Sequence, residues 1–518
     1  MKTHRDYEQF FNFLYKTPQY VMYELDHILC LYNGGIQNQG LIYYTPEILE
    51  VLKTDVYKRS NKIFQLGTQV FTNEDLMHDR GKHGKGAYAR MVDILMNLSS
   101  KENIHKLIQK KHYEKYLLAE MMRALLHDIG HGPFSHTMET ICNLPKGFHE
   151  KIGKRLIHEN KELRQALNKV YPNMAEIMDE AEKRNFLGLN SVIEGQFDVD
   201  RGDFLVRDLF FAVGYGDKEM GKIVTELIDN IDLKKVSIDG KTKLVLAFPS
   251  NQLENIERFL DVRFNNYKKI YNSSEGRLYE YIFKEFANRL LEVDEQYPLK
   301  TFFQNNIGKN AEEIDLDEYI KYNDLEFLKE SLNIFKNTKD PRLKELSRFC
   351  IPDANMHTPI LSLMISPEES DEYGNVNHPK EDIEFLKEIE KIDDDKEKLL
   401  KENYHVIEYN SEEEMNSSID KIKQSKKLGI GSQDLDKLGI ICDVTKNSTY
   451  KNKPGEEIFL YDENGGIFTY DKAPARTMPI KHFENAITII DKKQLAKTLG
   501  KEQYVHEVIH LLDNQIEK

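Results

Sequence analysis

The feature that most restricts how this chain can fold is the ten-residue run His127-Asp128-Ile129-Gly130-His131-Gly132-Pro133-Phe134-Ser135-His136, placed directly after the apolar helical stretch Tyr116 to Leu126. Three histidines and an aspartate in ten residues far exceed chance for a chain with 17 His in 518 residues. Adjacent His and Asp at a helix end can both reach one divalent ion, while His131, four residues after His127, returns to the same face with its imidazole available for substrate. Gly130, Gly132 and Pro133 end the helix and let a phosphate come close to the backbone. A helix end capped by buried, satisfied histidines is the plain alternative. Against it stand two matching segments elsewhere: His83 in His78-Asp79-Arg80-Gly81-Lys82-His83-Gly84, and Asp200 in Phe197-Asp198-Val199-Asp200-Arg201-Gly202-Asp203-Phe204.

To about residue 350 the periodicity is helical, over Ile104 to Leu126, Gly202 to Val213 and Gln252 to Ile270, and strand-like alternation is scarce. A polar segment, Ser366 to Lys380, reads as a linker, and Glu381 to Glu402 as a charged helix. Beyond it the texture changes. Tyr404 to Tyr409, Gly439 to Val444, Ile458 to Tyr461, Ile467 to Tyr470 and Ala486 to Ile490 read as short strands, with Asn464-Gly465-Gly466 as a hairpin and Lys492 to Leu512 as a closing helix. The expected fold is mainly α, a helical catalytic core with a small C-terminal α+β lobe. The expected division is an N-terminal segment 1–60, a core 61–350, a linker and charged helix 351–403, and the lobe 404–518.

The ordered motifs resemble the HD-domain superfamily, and within it the deoxynucleoside triphosphate triphosphohydrolases, the dGTPase-like group that includes vertebrate members carrying a SAM domain. The matches are Gln65-Leu66-Gly67, Arg80 to His83, His127 to His136, His149-Glu150, Asp198 to Asp203, Arg207-Asp208, Arg263 with Tyr271, and Thr338 to Lys344. They cover residues 40 to 350, and the rest more loosely. The resemblance implies a helical HD-domain core and a divalent metal ion (Mg, Mn, Fe or Zn) on His83, His127, Asp128 and Asp200. It implies hydrolysis of deoxynucleoside triphosphates to deoxynucleoside and inorganic triphosphate by attack of metal-bound hydroxide at the α-phosphate. Arg80, Arg201 and Arg263 match phosphate-contacting positions; Gln65 and Asp208 match groups that hydrogen-bond the 3′-hydroxyl; Tyr271 matches the ring against C2′, and Leu66 and Phe204 line the pocket. His136 is the first choice of proton donor by its family position, with His131 near the phosphates and His149 as second candidate, oriented by Glu139 or Glu150.

Three positions depart from the group's pattern: Phe204 for Tyr, Glu139 for Asp, and Arg201 for Lys, the last keeping charge but changing hydrogen-bond geometry. Lys53, Lys58 and Asn61 stand where the SAM-bearing members contact an activating guanine, so a homo-oligomer is expected that works without GTP or answers to a different nucleotide effector. His78, His105 and His112 lack such context and read as solvated or structural.

Composition narrows the partners. The 72 Lys+Arg against 87 Asp+Glu give a net charge of −15, the opposite of a chain that grips nucleic-acid phosphates, so nucleic acid is not expected as a partner. No run approaches the ~20 apolar residues needed to span a bilayer, so no membrane partner is expected. The N-terminus lacks an apolar signal core, and the four cysteines form no C-x-x-C pair; a cytoplasmic, reducing location is the expectation. Another HD phosphohydrolase (a nucleotidase or phosphodiesterase) and a nucleotide-sensing, oligomerising module are the competing readings. The biological role, nucleotide-pool control or antiviral defence, is left open by the residues.

Overall fold

Three helices are packed against one another closely enough to bring their ends to one point: α1 (Arg80–Ser100), α2 (Glu114–Leu126) and, later in the chain, α5 (Val199–Val213). Between α2 and α5 lie the short α3 (His136–Ile141) and α4 (Phe148–Glu159), and beyond α5 come α6 (Leu253–Asn266) and α7 (Ser274–Glu292). The structure, a computed structural model, describes residues 2–17, 21–25, 41–213, 218–238, 240–353, 380–392, 395–450, 457–474 and 476–513. It is mainly α, as the periodicity predicts. Among the described residues no helix is long and apolar enough to cross a membrane.

Helix α1 begins at Asp79, whose carboxylate accepts the Lys82 N–H (2.8 Å), satisfying one of the donors orphaned at a helix start. Two glycines then let its neighbours in. A Cβ on Gly84 would lie 2.8 Å from the Leu125 carbonyl oxygen of α2, and one on Gly86 1.8 Å from Asp203 Oδ1 of α5. Helix α2 is buried along almost its whole length, and its mid-helix charges, Glu120 and Arg123, pair with each other (2.7 Å).

Helical periodicity over-extends the elements in three places. Ile104 to Leu126 is two helices, Glu102–Lys111 and α2, parted where His112 takes a left-handed conformation (φ 54°). Glu381 to Glu402 divides into Lys380–Ile389 and Lys396–Asn403. Lys492 to Leu512 breaks at Gly500, φ +72°, into Lys492–Leu499 and Glu502–Leu512. The polar segment read as a linker, residues 366–379, lies outside the described residues.

Strands also enter the first 350 residues, contrary to expectation. β1 (Met22–Leu25) pairs antiparallel with β2 (Leu41–Tyr44), and β3 (Asp232–Ile238) with β4 (Lys241–Pro249). In the C-terminal part β5 (Tyr404–Tyr409) and β6 (Ile440–Ser448) flank β9 (His482–Asp491) in an antiparallel sheet. The Asn464-Gly465-Gly466 turn does join β7 (Phe459–Tyr461) to β8 (Ile467–Thr469). That hairpin does not stay with its neighbours: β7 adds parallel to β4, giving a four-stranded sheet in the order β3-β4-β7-β8. Strand pairing therefore crosses the expected 403/404 boundary. Strand β9 sends Ile487 and Ile489 into the main core and Ala486 and Ile490 into a second core beneath the C-terminal helices, so both faces of the strand are buried.

The α1 glycines yield a contest of known terms. In a helix interior, alanine normally gains about 1 kcal/mol over glycine, whereas forcing atoms into a packed site costs ~1–3 kcal/mol. Gly86→Ala is therefore expected to lower the thermal midpoint despite its helical location. Gly202→Ala, where a Cβ would meet only Val224 Cγ1 at 3.5 Å, is expected to leave the midpoint unchanged or raise it, and thermal unfolding of the two variants side by side checks both.

Candidate active site

The first three predicted metal ligands arrive on helix ends. His83 stands in the first turn of α1, and His127 and Asp128 follow the last residue of α2; Asp200 opens α5. Their ligating atoms converge: His83 Nε2 is 3.2 Å from His127 Nε2 and 3.1 Å from Asp200 Oδ1, while His127 Nε2 lies 3.5 Å from Asp128 Oδ1 and 3.6 Å from Asp200 Oδ1. The far nitrogen of each ring is held. His83 Nδ1 donates to Asp203 Oδ2 (2.9 Å) and His127 Nδ1 to the Ala124 carbonyl (2.9 Å), which turns both Nε2 lone pairs inward. Asp203 is itself clamped by Arg207, from Nε at 2.9 Å and Nη2 at 2.8 Å. Two inward imidazoles and two carboxylates at these spacings fit a divalent cation with donor distances of about 2.0–2.2 Å.

The local charge is dense. Burial opposes a proton on His83, but Asp200 and Asp203 outweigh it and raise the pKa to about 10; a bound cation would take the place of that proton beside Asp200. Asp200, despite burial, is held well below the usual carboxylate range by His127 and His83. Arg80, the first residue of α1, pairs with Asp128 and donates from Nε to Ser135 Oγ (2.9 Å) and from Nη2 to the Gln65 carbonyl (3.2 Å).

A cavity of about 420 Å³ opens beside this cluster, lined among others by Gln65, Leu66, Arg80, Asp128, His131, His136, His149, Glu150, Asp200, Arg201, Phe204, Asp208 and Tyr271, and its size lies within the roughly 300–1,000 Å³ of small-ligand sites. On one wall His131 stacks on His149 (centroids 3.9 Å, 12°), with the His136 ring edge-on to both. Glu139 binds two of them, Oε1 to His149 Nδ1 (2.5 Å) and Oε2 to His136 Nδ1 (3.3 Å). Burial would raise the Glu139 pKa, but these two imidazoles bring it far below the ordinary value. Glu139 therefore orients His149; Glu150 points out, 73% exposed and 4.0 Å from the ring. Burial, with Arg80 and His149 adding to it, pushes His131 well below the normal histidine range and keeps it neutral.

On the opposite wall Tyr271 donates to Asp208 Oδ2 (2.5 Å), and Asp208 Oδ1 meets His78 Nε2 (2.5 Å). His78 is buried, stacked on Phe211, and its carbonyl accepts the Gln65 N–H (2.9 Å). It is structural, not solvated. Gln65 Oε1 is buried with no hydrogen-bond partner, a cost a polar ligand would relieve. Phe204 meets the Tyr271 ring edge-on at 6.0 Å.

Some expectations are corrected. Arg263 does not line the cavity: Nη1 and Nη2 donate to Gln196, and Nη2 also to the Thr449 carbonyl (2.7 Å), so the guanidinium ties α6 to the C-terminal part. Arg201 does line it, paired with Asp198, and its Nε is buried without a partner. Gly130 makes room for protein backbone, since a Cβ there would lie 2.1 Å from the His149 carbonyl. Lys53 is exposed and paired with Glu50, while Asn61 is buried, so these positions do not form one exposed surface. His105 stacks on Phe13.

Sequence reasoning missed Asp324, Tyr267, Gln69, Thr137 and Glu280. Asp324 is fully buried and accepts the Phe134 N–H (2.6 Å) and the Phe64 N–H (2.8 Å), holding Phe134 and Ser135 at φ of 54° and 56°, a left-handed pair that only surrounding structure can maintain. Tyr267 reaches the cavity from a π-helical turn, Tyr267–Tyr271, a distortion common at functional sites and invisible to a regular 3.6-residue count.

An HD domain is present: its family model matches residues 90–203. YwfO, an uncharacterized protein of Bacillus subtilis, is 28% identical over 285 residues, 53% of this chain and 59% of that one. The deoxynucleoside triphosphate triphosphohydrolase SAMHD1 homolog of Dictyostelium discoideum is 22% identical over 272 residues, 48% of each chain. This chain thus spans about half to three fifths of the length of these relatives. Among solved structures, a phosphohydrolase from Bacteroides thetaiotaomicron superposes with a TM-score of 0.59 at 20% identity, covering 91% of this chain and all of that one; the shared feature is the fold.

The hydrogen bond from His83 Nδ1 to Asp203 generates a prediction. Outer partners of metal-binding histidines typically account for 10–100-fold in affinity. Asp203→Ala is expected to weaken Mn²⁺ or Zn²⁺ binding by about that factor, measured by competition with a chromophoric chelator.

Proposed function

We propose that this chain is a metal-dependent phosphohydrolase that cleaves deoxynucleoside triphosphates to a deoxynucleoside and inorganic triphosphate. The observation that carries the reading is the convergence of three groups on one cavity: Asp128 and Asp200 of the His/Asp cluster in its lining, the histidines governed by Glu139, and the Gln65, Asp208 and Tyr271 wall. A divalent cation on His83, His127, Asp128 and Asp200 would polarise a phosphoryl oxygen and lower the pKa of a water from about 15.7 toward roughly 7.

The chain's own groups do the rest. Arg80 and Arg201 give positive potential at the cavity wall, which a protein of net charge −15 must concentrate locally to hold a polyphosphate. Neutral His131 has a ring N–H to offer a phosphate oxygen without adding charge. Glu139 accepts from the Nδ1–H of His149 and of His136, leaving each Nε2 able to carry a proton to the leaving 5′-oxygen. The unpaired Gln65 Oε1 and the Asp208 carboxylate accept from a 3′-hydroxyl, and the Tyr271 ring, fixed by its bond to Asp208, leaves little room for a 2′-hydroxyl.

Incubating the cation-loaded protein with each nucleotide separately and identifying products by mass tests the reading. Release of intact triphosphate is expected, and pyrophosphate or orthophosphate as first product would overturn it. His127→Ala is expected to abolish turnover, and His149→Ala to lower kcat by roughly 10²–10⁴. Tyr271→Ala is expected to reduce the dATP-over-ATP ratio of kcat/KM by about 10-fold, read from the same assays.

A further inference from the structure

Besides the exposed Glu150, the cavity holds a carboxyl deeper in its wall that none of these roles uses. Glu280, on α7, lines its wall with Gln69 and Thr137. Its one hydrogen bond among the described residues comes from Thr137 Oγ1, at 3.4 Å. Among the described residues no cation pairs with it: the neighbouring Arg277 is engaged by Asp443 through Nε at 2.5 Å. A partly buried carboxyl with one long hydroxyl contact is an unfavourable arrangement that a polar ligand would relieve. Burial, reinforced by Asp443, raises its pKa to about 7.

Its position within the cavity identifies what can sit against it. Phosphates would be repelled by the carboxylate and have Arg80 and Arg201. The sugar has Gln65, Asp208 and Tyr271. From Gln65 the wall continues through Leu66 and Gly67 to Gln69, and Gln69 packs against Gly276, one turn of α7 before Glu280. The component of a nucleotide left for this end is the base. Resting on the nucleotide reading above, we propose that Glu280 is a specificity-determining residue that accepts a hydrogen bond from the exocyclic amino group of the base, selecting adenine, cytosine or guanine nucleotides over thymine. Thymine has no amino group, and its one N–H is flanked by two carbonyl oxygens that repel a carboxylate.

The test is kcat/KM for dATP, dCTP, dGTP and dTTP at pH 8.5, where the carboxyl is ionised, together with calorimetric binding of the same four nucleotides. The wild-type protein is expected to favour each amino-bearing nucleotide over dTTP by at least 10-fold in both measurements. Glu280→Leu should lower the amino-bearing three by about 10–100-fold and leave dTTP within threefold. Glu280→Gln, uncharged and of the same shape, presents a donor beside its acceptor and should instead raise dTTP by about 10-fold; this opposite response separates base reading from a packing role and does not depend on Glu280→Leu folding. Wild-type indifference between dTTP and the others, or an unchanged ratio in Glu280→Gln, overturns the inference. Selective binding without any turnover would support it while overturning the proposed reaction, and no binding of any nucleotide would overturn both.

Discussion

The close approach of α1 to α2 and α5 is the constraint on which the site depends. Where Gly84 and Gly86 let the Leu125 carbonyl and Asp203 come in, the acidic groups of one helix arrive at the imidazoles of another. Asp128, Asp198, Asp200 and Asp203 are crowded into one region, and burying such a set without compensation would be prohibitive. The compensation is local: Arg80 on Asp128, Arg201 on Asp198, Arg207 on Asp203, and the His83 ring between Asp200 and Asp203. The balance is uneven. Burial and the nearby Asp200 push the Asp198 carboxyl upward while Arg201 opposes them.

Much of the site was legible because its chemistry is contiguous in sequence. The run from His127 to His136 supplies two of the candidate metal ligands and two of the three clustered histidines, but the helix ends at Leu126, so His131 comes within 3.5 Å of Asp128 Oδ1 from the turn beyond it rather than along a shared helical face. The choice between Glu139 and Glu150 was not legible, because it depends on the turn between α3 and α4, which folds the His149 amide and ring onto one oxygen of Glu139. Arg263 misled for a related reason. Its assignment rested on the motif match with Tyr271 eight residues on, but the chain widens into a π turn at Tyr267, and the arginine is taken up by Gln196 and by the Thr449 carbonyl, nearly 190 residues away.

Asp324 marks the general limit. Nothing in its surroundings, a helix start capped by Asn323, distinguishes it from any surface aspartate near a helix N-terminus. Its importance comes from where the fold carries it, under the Phe64 and Phe134 amides, and only tertiary structure reports that. The strands among the first 350 residues escaped for a similar reason: β3 contains Lys234, Lys235 and Ser237, so its paired partner β4, rather than its own alternation, defines it.

The sheet β3-β4-β7-β8 has a consequence for how this chain comes to be folded. Ala247 is register partner to Phe459, more than two hundred residues downstream, so on a ribosome β4 emerges long before the strand that covers its open side. During that interval one edge presents unpaired backbone groups, the template on which chains join one another edge to edge. Contacts of such long sequence separation also form slowly once the chain is complete. Shortening the polypeptide before β7 would make that transient edge permanent, so the helical part of the chain relies on residues far beyond it to close this sheet.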